Sequence, residues 1–252
     1  MSAPSHPAGL AVSVRGLRKQ FGDLVVLPGL DLQIAAGELF VLMGPSGSGK
    51  STFLRHLIGL ETPDAGEIHL DGELLSEDSQ SHHRLAMVFQ SGGLLNSLTV
   101  EENVGLYLTE HRLQPPAEIH RLVLEKLARV QLDPSVARQT PPELSGGMRR
   151  RVAIARALMV EPQLVLYDEP TAELDPLVAL AIGREIHRVN QETGATTVVV
   201  THDRDLAFGI ADRLGFMVAG RLQALGTPAQ IRAHPDPLLQ QFLAADFKPL
   251  AR

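Results

Sequence analysis

The sequence predicts an α/β fold with a parallel β-sheet as its core, an antiparallel β-layer in the N-terminal third and a helical subdomain inserted into the core. Three patterns predict it. Short apolar runs bounded by Gly, Asp or Pro recur along the chain, and their length and β-branched residues are typical of buried strands. Helical patterns lie between these runs. The N-terminal third instead alternates polar and apolar residues, which is typical of an antiparallel layer.

The N-terminal layer is predicted from residues 12–34 and 67–75, where polar and apolar residues alternate. Turn signals that contain glycine interrupt or follow these stretches at residues 21–23, 36–37 and 71–72. Strands joined by such turns lie antiparallel, so this layer is expected beside the parallel core.

Buried strands are predicted where an apolar run is too short for a helix. These runs are residues 11–14, 39–43, 87–89, 164–167 and 197–200. One helix is predicted after Lys50, where four apolar residues share a face, and others over residues 116–132 and 176–189. Asp175 is the predicted N-cap of the last of these.

The remaining segments complete the predicted organisation. Residues 91–160 are mostly helical in pattern and are interpreted as a subdomain inserted into the core. A hairpin is expected near Gly220, followed by short helices around residues 228–233 and 237–244. We therefore predict a disordered lead, a main domain and a helical tail, over residues 1–9, 10–226 and 227–252.

Composition excludes several classes of protein. The chain has 252 residues with 44% hydrophobic and 21% charged side chains, which is ordinary for a globular protein. No run of about 18 apolar residues exists to span a bilayer, and the first nine residues lack the features of a secretory signal. The net charge of −6 argues against a nucleic-acid partner. The absence of cysteine excludes disulfides and thiolate metal sites.

A glycine-rich segment between a predicted strand and a predicted helix has the pattern of a phosphate loop. It consists of Gly44, Pro45, Ser46, Gly47, Ser48, Gly49, Lys50, Ser51 and Thr52. Glycines let successive backbone N–H groups point at a phosphate, and the helix N-terminus adds positive potential. Lys50 is expected to reach the β- and γ-phosphates, and Ser51 to ligate Mg²⁺. The alternative is a glycine-rich turn with a solvent-facing lysine, which the flanking strand and helix disfavour.

Two adjacent acids, Asp168 and Glu169, end the apolar run at residues 164–167. A parallel sheet presents ligand-binding side chains at this end of its strands. Asp168 is expected to support the metal ion, and Glu169 to polarise the attacking water as general base. The alternative, an acidic helix cap before Pro170, explains one carboxylate but not both.

The order of these motifs resembles that of the ATP-binding cassette family, the ATPase subunits that drive membrane transporters. The phosphate loop is followed by Gln90, by Ser145 within residues 144–148, by Asp168 and Glu169, and by His202 within residues 201–203. The resemblance covers residues 10–226. It implies a phosphate-loop NTPase core that binds ATP and Mg²⁺.

The resemblance also implies functional roles for residues whose positions in the sequence would not by themselves mark them as functional. Gln90 corresponds to the glutamine that contacts Mg²⁺ and the water and links the core to the helical subdomain. His202 corresponds to the switch histidine at the γ-phosphate. Phe21 corresponds to the aromatic residue that stacks on adenine, with Val26 lining the same pocket; packing of Phe21 into the core of the β-layer is the alternative.

The turn formed by Ser145, Gly146 and Gly147 precedes a predicted helix, which Ser145 is expected to cap. In the family this turn binds the γ-phosphate held by the other subunit. One chain carries one set of motifs, so the resemblance implies that a two-fold dimer is required for turnover. Residues 149–151 are three arginines, which we interpret mainly as a solvated helix face.

Finer features are similar to the ATPase of Mla/Mce-type phospholipid transporters. They are Met148, where most family members have Gln, and the residues of segments 89–104 and 234–243. One departure is Glu173, where the family usually has glycine or another small residue. That loop crosses the dimer seam in the family, so the added carboxylate is expected to pair with an arginine or to weaken closure.

The function expected from this resemblance is an ATP-hydrolysing subunit at the cytoplasmic face of the inner or plasma membrane, energising phospholipid transport. The expected partners are a second copy, integral-membrane permease subunits and an Mce-type lipid-binding subunit. The alternatives are an importer or exporter ATPase for another substrate, a soluble cassette ATPase acting on ribosomes or DNA, and a non-hydrolysing interaction protein. The last is disfavoured because Glu169 and His202 are both present.

Overall fold

The computed structural model describes residues 9–76 and 79–244, so the first eight residues of the lead predicted at residues 1–9 and the end of the tail lie outside the described residues. Within this part of the chain, ten strands form two sheets. The strands are β1 (Val12–Phe21), β2 (Leu24–Ile34), β3 (Leu39–Met43), β4 (Ala65–Leu70), β5 (Glu73–Leu74), β6 (Leu85–Val88), β7 (Leu164–Asp168), β8 (Thr196–Thr201), β9 (Arg213–Val218) and β10 (Arg221–Gly226).

Helices cover the larger sheet and fill the region between β6 and β7. They are α1 (Lys50–Leu57), α2 (Val100–Glu110), α3 (Pro116–Arg129), α4 (Gly146–Leu158), α5 (Pro176–Thr193), α6 (Arg204–Ile210), α7 (Pro228–Arg232) and α8 (Pro237–Ala244). Among the described residues, no helix is both long enough and apolar enough to cross a membrane.

The two sheets confirm the predicted fold class. The antiparallel layer has the strand order β2-β1-β4-β5, and the core sheet has the order β10-β9-β3-β8-β7-β6. Strands β9, β3, β8, β7 and β6 run parallel, and β10 returns antiparallel to β9 through a turn at Gly220. Met43 of β3 pairs with Thr201 of β8, and Asp168 of β7 pairs with Val200, so the carboxyl ends of these three strands meet at one edge.

Successive side chains of β3 lie alternately in two hydrophobic cores, one on each face of the sheet. Phe40 and Leu42 pack with α1 and the antiparallel layer, whereas Val41 and Met43 face the core shared with α4 and α5. Successive side chains of a strand point to opposite faces, so a strand that is buried on both sides reads as a continuous apolar run. This explains why the predicted range of β3 agrees with the observed one.

Other predicted boundaries shift at turns. The predicted strand at residues 11–14 continues to Phe21, and α3 ends at Arg129 rather than at residue 132. The strand predicted at residues 87–89 ends at Val88, because the Phe89 carbonyl accepts a hydrogen bond from the Gly92 N–H at 2.8 Å and the chain turns there.

The predicted helical segments are present, whereas the domain boundaries stay predictions. Helices α2, α3 and α4 pack together and share a core that includes Val104, Val123 and Val152. In the tail, α8 buries Leu239 and places the Phe242 ring 5.2 Å from that of Phe216 in β9.

Candidate active site

The phosphate loop joins β3 to α1 through backbone conformations that favour glycine. Gly47 and Gly49 have φ values of 77° and 97°, in the left-handed region. A Cβ atom on Gly44 would lie 2.1 Å from the Met217 carbonyl oxygen, so no larger residue fits without a backbone shift. These glycines let the loop fold tightly at the carboxyl end of β3.

Lys50, the first residue of α1, is buried at the base of the loop. Its Nζ donates hydrogen bonds to the carbonyl oxygens of Gly44 at 2.9 Å and Pro45 at 3.0 Å, and lies 3.8 Å from Glu169 Oε1. Burial lowers the pKa of Lys50, and the nearby carboxylates of Glu169 and Asp168 oppose that change. The ammonium is therefore oriented between the loop and the acids that end β7.

The candidate metal ligands meet at the end of β7. Ser51 Oγ donates a hydrogen bond to Asp168 Oδ1 at 2.8 Å, and Gln90 lines the same cavity as Ser51. A hydroxyl, a carboxylate and an amide oxygen are the hard ligands that suit Mg²⁺. No group of three or more His, Cys, Asp or Glu residues that could hold a metal exists within the described ranges. Mg²⁺ usually binds through one or two carboxylates together with substrate phosphates.

Asp168→Asn is expected to raise the melting temperature of the nucleotide-free protein by about 2 to 4 °C. In a chain of this size, that shift corresponds to an increase of about 1 kcal/mol in the free energy of unfolding. Burial raises the pKa of Asp168, and the Ser51 hydrogen bond opposes the change. The ionised carboxylate is therefore less favourable in the folded than in the unfolded chain. This cost is present above the raised pKa and disappears as the pH falls through it.

Thermal melts of both proteins at pH 7 and at pH 4 test this expectation, and the difference in melting temperature should shrink at the lower pH. Asp23→Asn, which changes an exposed carboxylate, is the control and should leave the melting temperature unchanged. A lower melting temperature for Asp168→Asn at pH 7 would contradict the assigned cost of burial.

Glu169 is buried, with its carboxylate held from three directions. Oε2 accepts hydrogen bonds from Thr201 Oγ1 at 3.1 Å, from His202 Nδ1 at 2.9 Å and from the His202 backbone N–H at 3.2 Å. Its backbone has φ 47°, which is unfavourable for a side chain of this size and costs on the order of 1–3 kcal/mol. A further backbone bond to the Val200 carbonyl helps to hold it in place. This carboxylate lines the cavity and can accept a proton from a water molecule there.

His202 follows β8 and reaches the same cavity, with its side chain 55% exposed. Its position is fixed by the two hydrogen bonds to Glu169 and by the start of α6. Asp203 caps that helix by accepting from the Leu206 N–H at 3.1 Å, and Thr171 Oγ1 donates to the same carboxyl group at 3.2 Å. The imidazole can therefore contact a bound phosphate while remaining coupled to Glu169.

The structure brings together most of the predicted site residues around one cavity of about 420 Å³. Its lining consists of Val26, Ser46, Gly47, Gly49, Lys50, Ser51, Thr52, Gln90, Glu169 and His202. The predicted residues that do not line it are Phe21, Gly44, Pro45, Ser48, Ser145, Gly146, Gly147 and Asp168. The carbonyl oxygens of Gly44 and Pro45 accept from Lys50, and the Ser48 N–H donates to the Pro45 carbonyl oxygen at 3.3 Å. Asp168 contacts the cavity through its hydrogen bond with Ser51.

Phe21 lies outside the cavity lining, at the end of β1 and 43% exposed. The alternative in which it packs into the core of the β-layer is therefore wrong. Lys19 Nζ lies 5.2 Å from the centroid of its ring. Stacking of Phe21 on adenine stays a prediction.

The turn at Ser145 lies apart from this cavity in the same chain. Ser145 Oγ accepts a hydrogen bond from the Met148 N–H at 3.3 Å, so the predicted N-cap of α4 is confirmed, and Ser145 is exposed. A Cβ atom on Gly147 would lie 2.6 Å from Val178 Cγ1, so glycine permits close packing against α5. The turn therefore presents its polar side chain to the surface rather than to the nucleotide cavity.

The arginines at residues 149–151 are not a solvated face, and this interpretation is corrected by the structure. All three guanidinium groups donate to backbone carbonyl oxygens: Arg149 to Leu144 (2.8 Å), Arg150 to Phe89 (2.7 Å) and Arg151 to Val130 (3.0 Å). Arg150 is only 6% exposed. Its contact with the loop before Gln90 has no signal in the sequence beyond the run of arginines, because the two residues are far apart in the chain.

Glu173 occupies a backbone conformation that favours glycine. Its φ is 64°, so the small residue usual at this position in the family has a conformational reason. The Glu173 side chain is exposed. Burial of Arg150 lowers the pKa of that guanidinium, and the negative charge of Glu173 partly opposes the change. Pairing of Glu173 with an arginine, or weaker closure at the dimer seam, stays a prediction.

Comparisons with known proteins agree with this geometry. A family model described as ABC transporter matches residues 27–172. The chain is 43% identical over 230 residues to the sulfate/thiosulfate import ATP-binding protein CysA of Caulobacter vibrioides, covering 90% of this chain and 68% of that protein. It is 41% identical over 224 residues to the sn-glycerol-3-phosphate import ATP-binding protein UgpC 1 of Rhizobium johnstonii, covering 89% of this chain and 60% of that protein. The chain thus spans 60 to 68% of the length of these two curated relatives.

Solved structures share the fold over most of the chain. A dimeric, post-hydrolysis structure of the ATP-binding cassette MJ0796 bound to ADP and Pi matches with a TM-score of 0.78 and 34% identity, covering 86% of this chain and 98% of that one. The structure of cbiO1 from Clostridium perfringens, described as part of the ABC transporter complex cbiONQ, matches with a TM-score of 0.80 and 28% identity, covering 92% of this chain and 94% of that one.

Proposed function

Because this chain belongs to the ABC transporter family and is an ATPase that uses ATP with Mg²⁺, we propose that it energises a membrane importer. Its ATPase activity is supported by the convergence of Lys50, Glu169 and His202 on one cavity beside the phosphate loop, and the import role is supported by the named relatives. Such a set can bind a triphosphate and activate water, which a nucleotide-binding protein without turnover does not need.

Each of these side chains has a separate role in ATP hydrolysis. Lys50 and the loop N–H groups hold the phosphates, and Ser51 and Asp168 supply oxygen ligands for Mg²⁺, which neutralises phosphate charge when it is bound. Glu169 accepts the proton of the attacking water. His202, bonded to the same carboxylate, is placed to contact the γ-phosphate.

The position of the Ser145 turn supports a two-fold dimer. The turn offers the N-terminus of α4, and backbone N–H groups at a helix N-terminus bind anions. Because it lies apart from the cavity of its own chain, we propose that it serves the ATP of a second copy. The related cassette MJ0796 was solved as a dimer in a post-hydrolysis state.

The relatives favour an imported solute over phospholipid. CysA and UgpC 1 are named as import ATP-binding proteins for sulfate or thiosulfate and for glycerol 3-phosphate. The narrower phospholipid prediction, with its Mce-type partner, rests on Met148 and on the residues of segments 89–104 and 234–243. We therefore propose the alternative weighed from the sequence, an importer of another substrate, acting at the cytoplasmic face of the membrane with integral permease subunits.

Turnover of the tagged chain in its native membrane complex should exceed that of the isolated chain several-fold, because a permease would favour the closed dimer. Phosphate release is measured for the purified complex in detergent and for the chain alone. Equal turnover in the two preparations would contradict the energising role.

The subunits and lipids that co-purify identify the cargo class. A solute-binding protein together with a permease supports the importer. A lipid-binding subunit with bound phospholipid would instead overturn it in favour of phospholipid transport. Co-purification with ribosomes or DNA and without a permease would contradict both.

A further inference from the structure

The loop that carries Gln90 is attached to α4 by two guanidinium groups. Arg150 donates to the Phe89 carbonyl oxygen at 2.7 Å. Arg156, further along the same helix, donates to the carbonyl oxygens of Gly93 at 2.6 Å and Gly92 at 3.1 Å. Three carbonyl groups on both sides of Gln90 are thus bound to one helix.

The bonds to Phe89 and Gly92 are partly buried, which limits their replacement by water, whereas the bond to Gly93 is exposed. Burial lowers the pKa of both Arg150 and Arg156. Hydrogen bonds from a charged donor are stronger than neutral ones, and a desolvated partner left without a bond is costly. Among the described residues, Arg150 Nε has no hydrogen-bond partner, so the Phe89 carbonyl is the principal anchor of this buried charge.

Asn103 holds the far end of the loop by accepting from the Leu95 N–H at 2.8 Å and donating to the Leu95 carbonyl oxygen at 3.0 Å, so the two arginines act on the nearer part, residues 89–93. Gly92 and Gly93 have φ values of 78° and 59°, and the internal bond from the Gly92 N–H to the Phe89 carbonyl closes a single turn. Glycines leave such a turn free to adopt other conformations. The position of Gln90 therefore depends on the two arginines.

Helix α4 begins at the Ser145 turn and contains both arginines. Arg149 also ties that turn to the helix by donating to the Leu144 carbonyl oxygen at 2.8 Å. Arg156 lies eleven positions after Ser145, which is about 16 Å along the helix. A displacement of the turn therefore moves both guanidinium groups, and with them the carbonyl groups on either side of Gln90.

We propose that Arg150 and Arg156 are positioning residues that couple the two nucleotide sites of the dimer. Through them, contact of the Ser145 turn with the phosphate in one site places Gln90 in the other site. This proposal rests on the proposed dimeric ATPase, and it adds the path by which one site controls the other.

Removal of the guanidinium of Arg150 or of Arg156 is expected to lower kcat for ATP hydrolysis about tenfold and to leave KM within about twofold of the wild-type value. The Hill coefficient for ATP should fall close to 1. The variants are Arg150→Met and Arg156→Met, which keep an unbranched stem. Arg151→Met is the matched control, because Arg151 donates to Val130 and not to the loop, and it should behave as the wild type.

Lysine replacements separate positioning from general stability. Arg150 uses one donor, so Arg150→Lys should retain most of kcat by bonding the Phe89 carbonyl. Arg156 uses two donors in a fixed fork, so Arg156→Lys should stay impaired. If a methionine variant fails to fold, this pair decides the question: equal kcat for both lysine variants would overturn the proposal.

A spectroscopic readout follows the loop directly. Because the chain has no cysteine, Ser91→Cys provides a unique site for a nitroxide label next to Gln90. In a Glu169→Gln background, Mg-ATP should immobilise the label when Arg150 and Arg156 are present and leave it mobile in Arg150→Met. Immobilisation that is unaffected by Arg150→Met, in a sample that still dimerises, would overturn the coupling while leaving the proposed function intact. A Glu169→Gln sample that stays monomeric in saturating Mg-ATP would instead contradict the proposed dimer.

Discussion

Glu169→Gln is expected to bind Mg-ATP with affinity close to that of the wild type and to lose most of its turnover, by about 10²- to 10⁴-fold in kcat. Gln keeps an oxygen that can accept from Thr201 Oγ1 and from the His202 N–H. It has no basic carboxylate to receive the proton of the attacking water. Phosphate release gives kcat, and equilibrium binding of Mg-ATP gives the affinity.

The matched control for this variant is Glu161→Gln. Glu161 also has a left-handed backbone, with φ 48°, but is exposed at the opposite end of β7. It should keep wild-type turnover and affinity. An unchanged kcat in Glu169→Gln would remove the general base from the proposed chemistry.

Lys50→Met is expected to weaken Mg-ATP binding by about 100-fold, or about 2.7 kcal/mol. The substitution removes a buried ammonium that the carbonyl oxygens of Gly44 and Pro45 hold in the phosphate loop. A charge in a largely desolvated site contributes more to phosphate binding than one exposed to water. Isothermal titration calorimetry with ATP and Mg²⁺ measures the loss.

Lys126→Met provides the control for removing a buried lysine. Lys126 is 6% exposed in α3, within the helical region and outside the cavity. Its replacement should leave ATP affinity within about twofold, even if the melting temperature changes. Equal affinity in Lys50→Met and in the wild type would show that phosphate binding does not depend on this ammonium.

The core strands and the phosphate loop were largely predictable because both depend on neighbouring residues. The range of β3 follows from five consecutive apolar residues, each buried on one face or the other of the sheet. The phosphate loop is likewise recognisable from consecutive residues, because its glycines adopt local backbone conformations that other residues rarely adopt. The end of β6 was less predictable, because Phe89 is apolar but its carbonyl already belongs to a turn.

Narrower predictions that depended on individual side chains were less accurate. The phospholipid assignment used residues with no known contact to a cargo, and the named relatives point to importers instead. The exposure of Phe21 excluded its packing in the β-layer, an alternative that the sequence left open. A side chain at a strand end can face the core or the solvent, and only the packing around it decides which.

The sequence by itself predicted most core strand segments, the phosphate loop and two candidate catalytic acids, because these follow from local conformation and side-chain chemistry. The tertiary structure decided which distant groups meet. Ser51 bonds to Asp168 across 117 residues, and Arg150 bonds to the Phe89 carbonyl across 61. Such contacts form only when the parallel sheet brings its carboxyl edges together and α4 packs against the loop after β6. The charge of Arg150 then becomes an anchor for that loop, because burial removes the water that would otherwise solvate it.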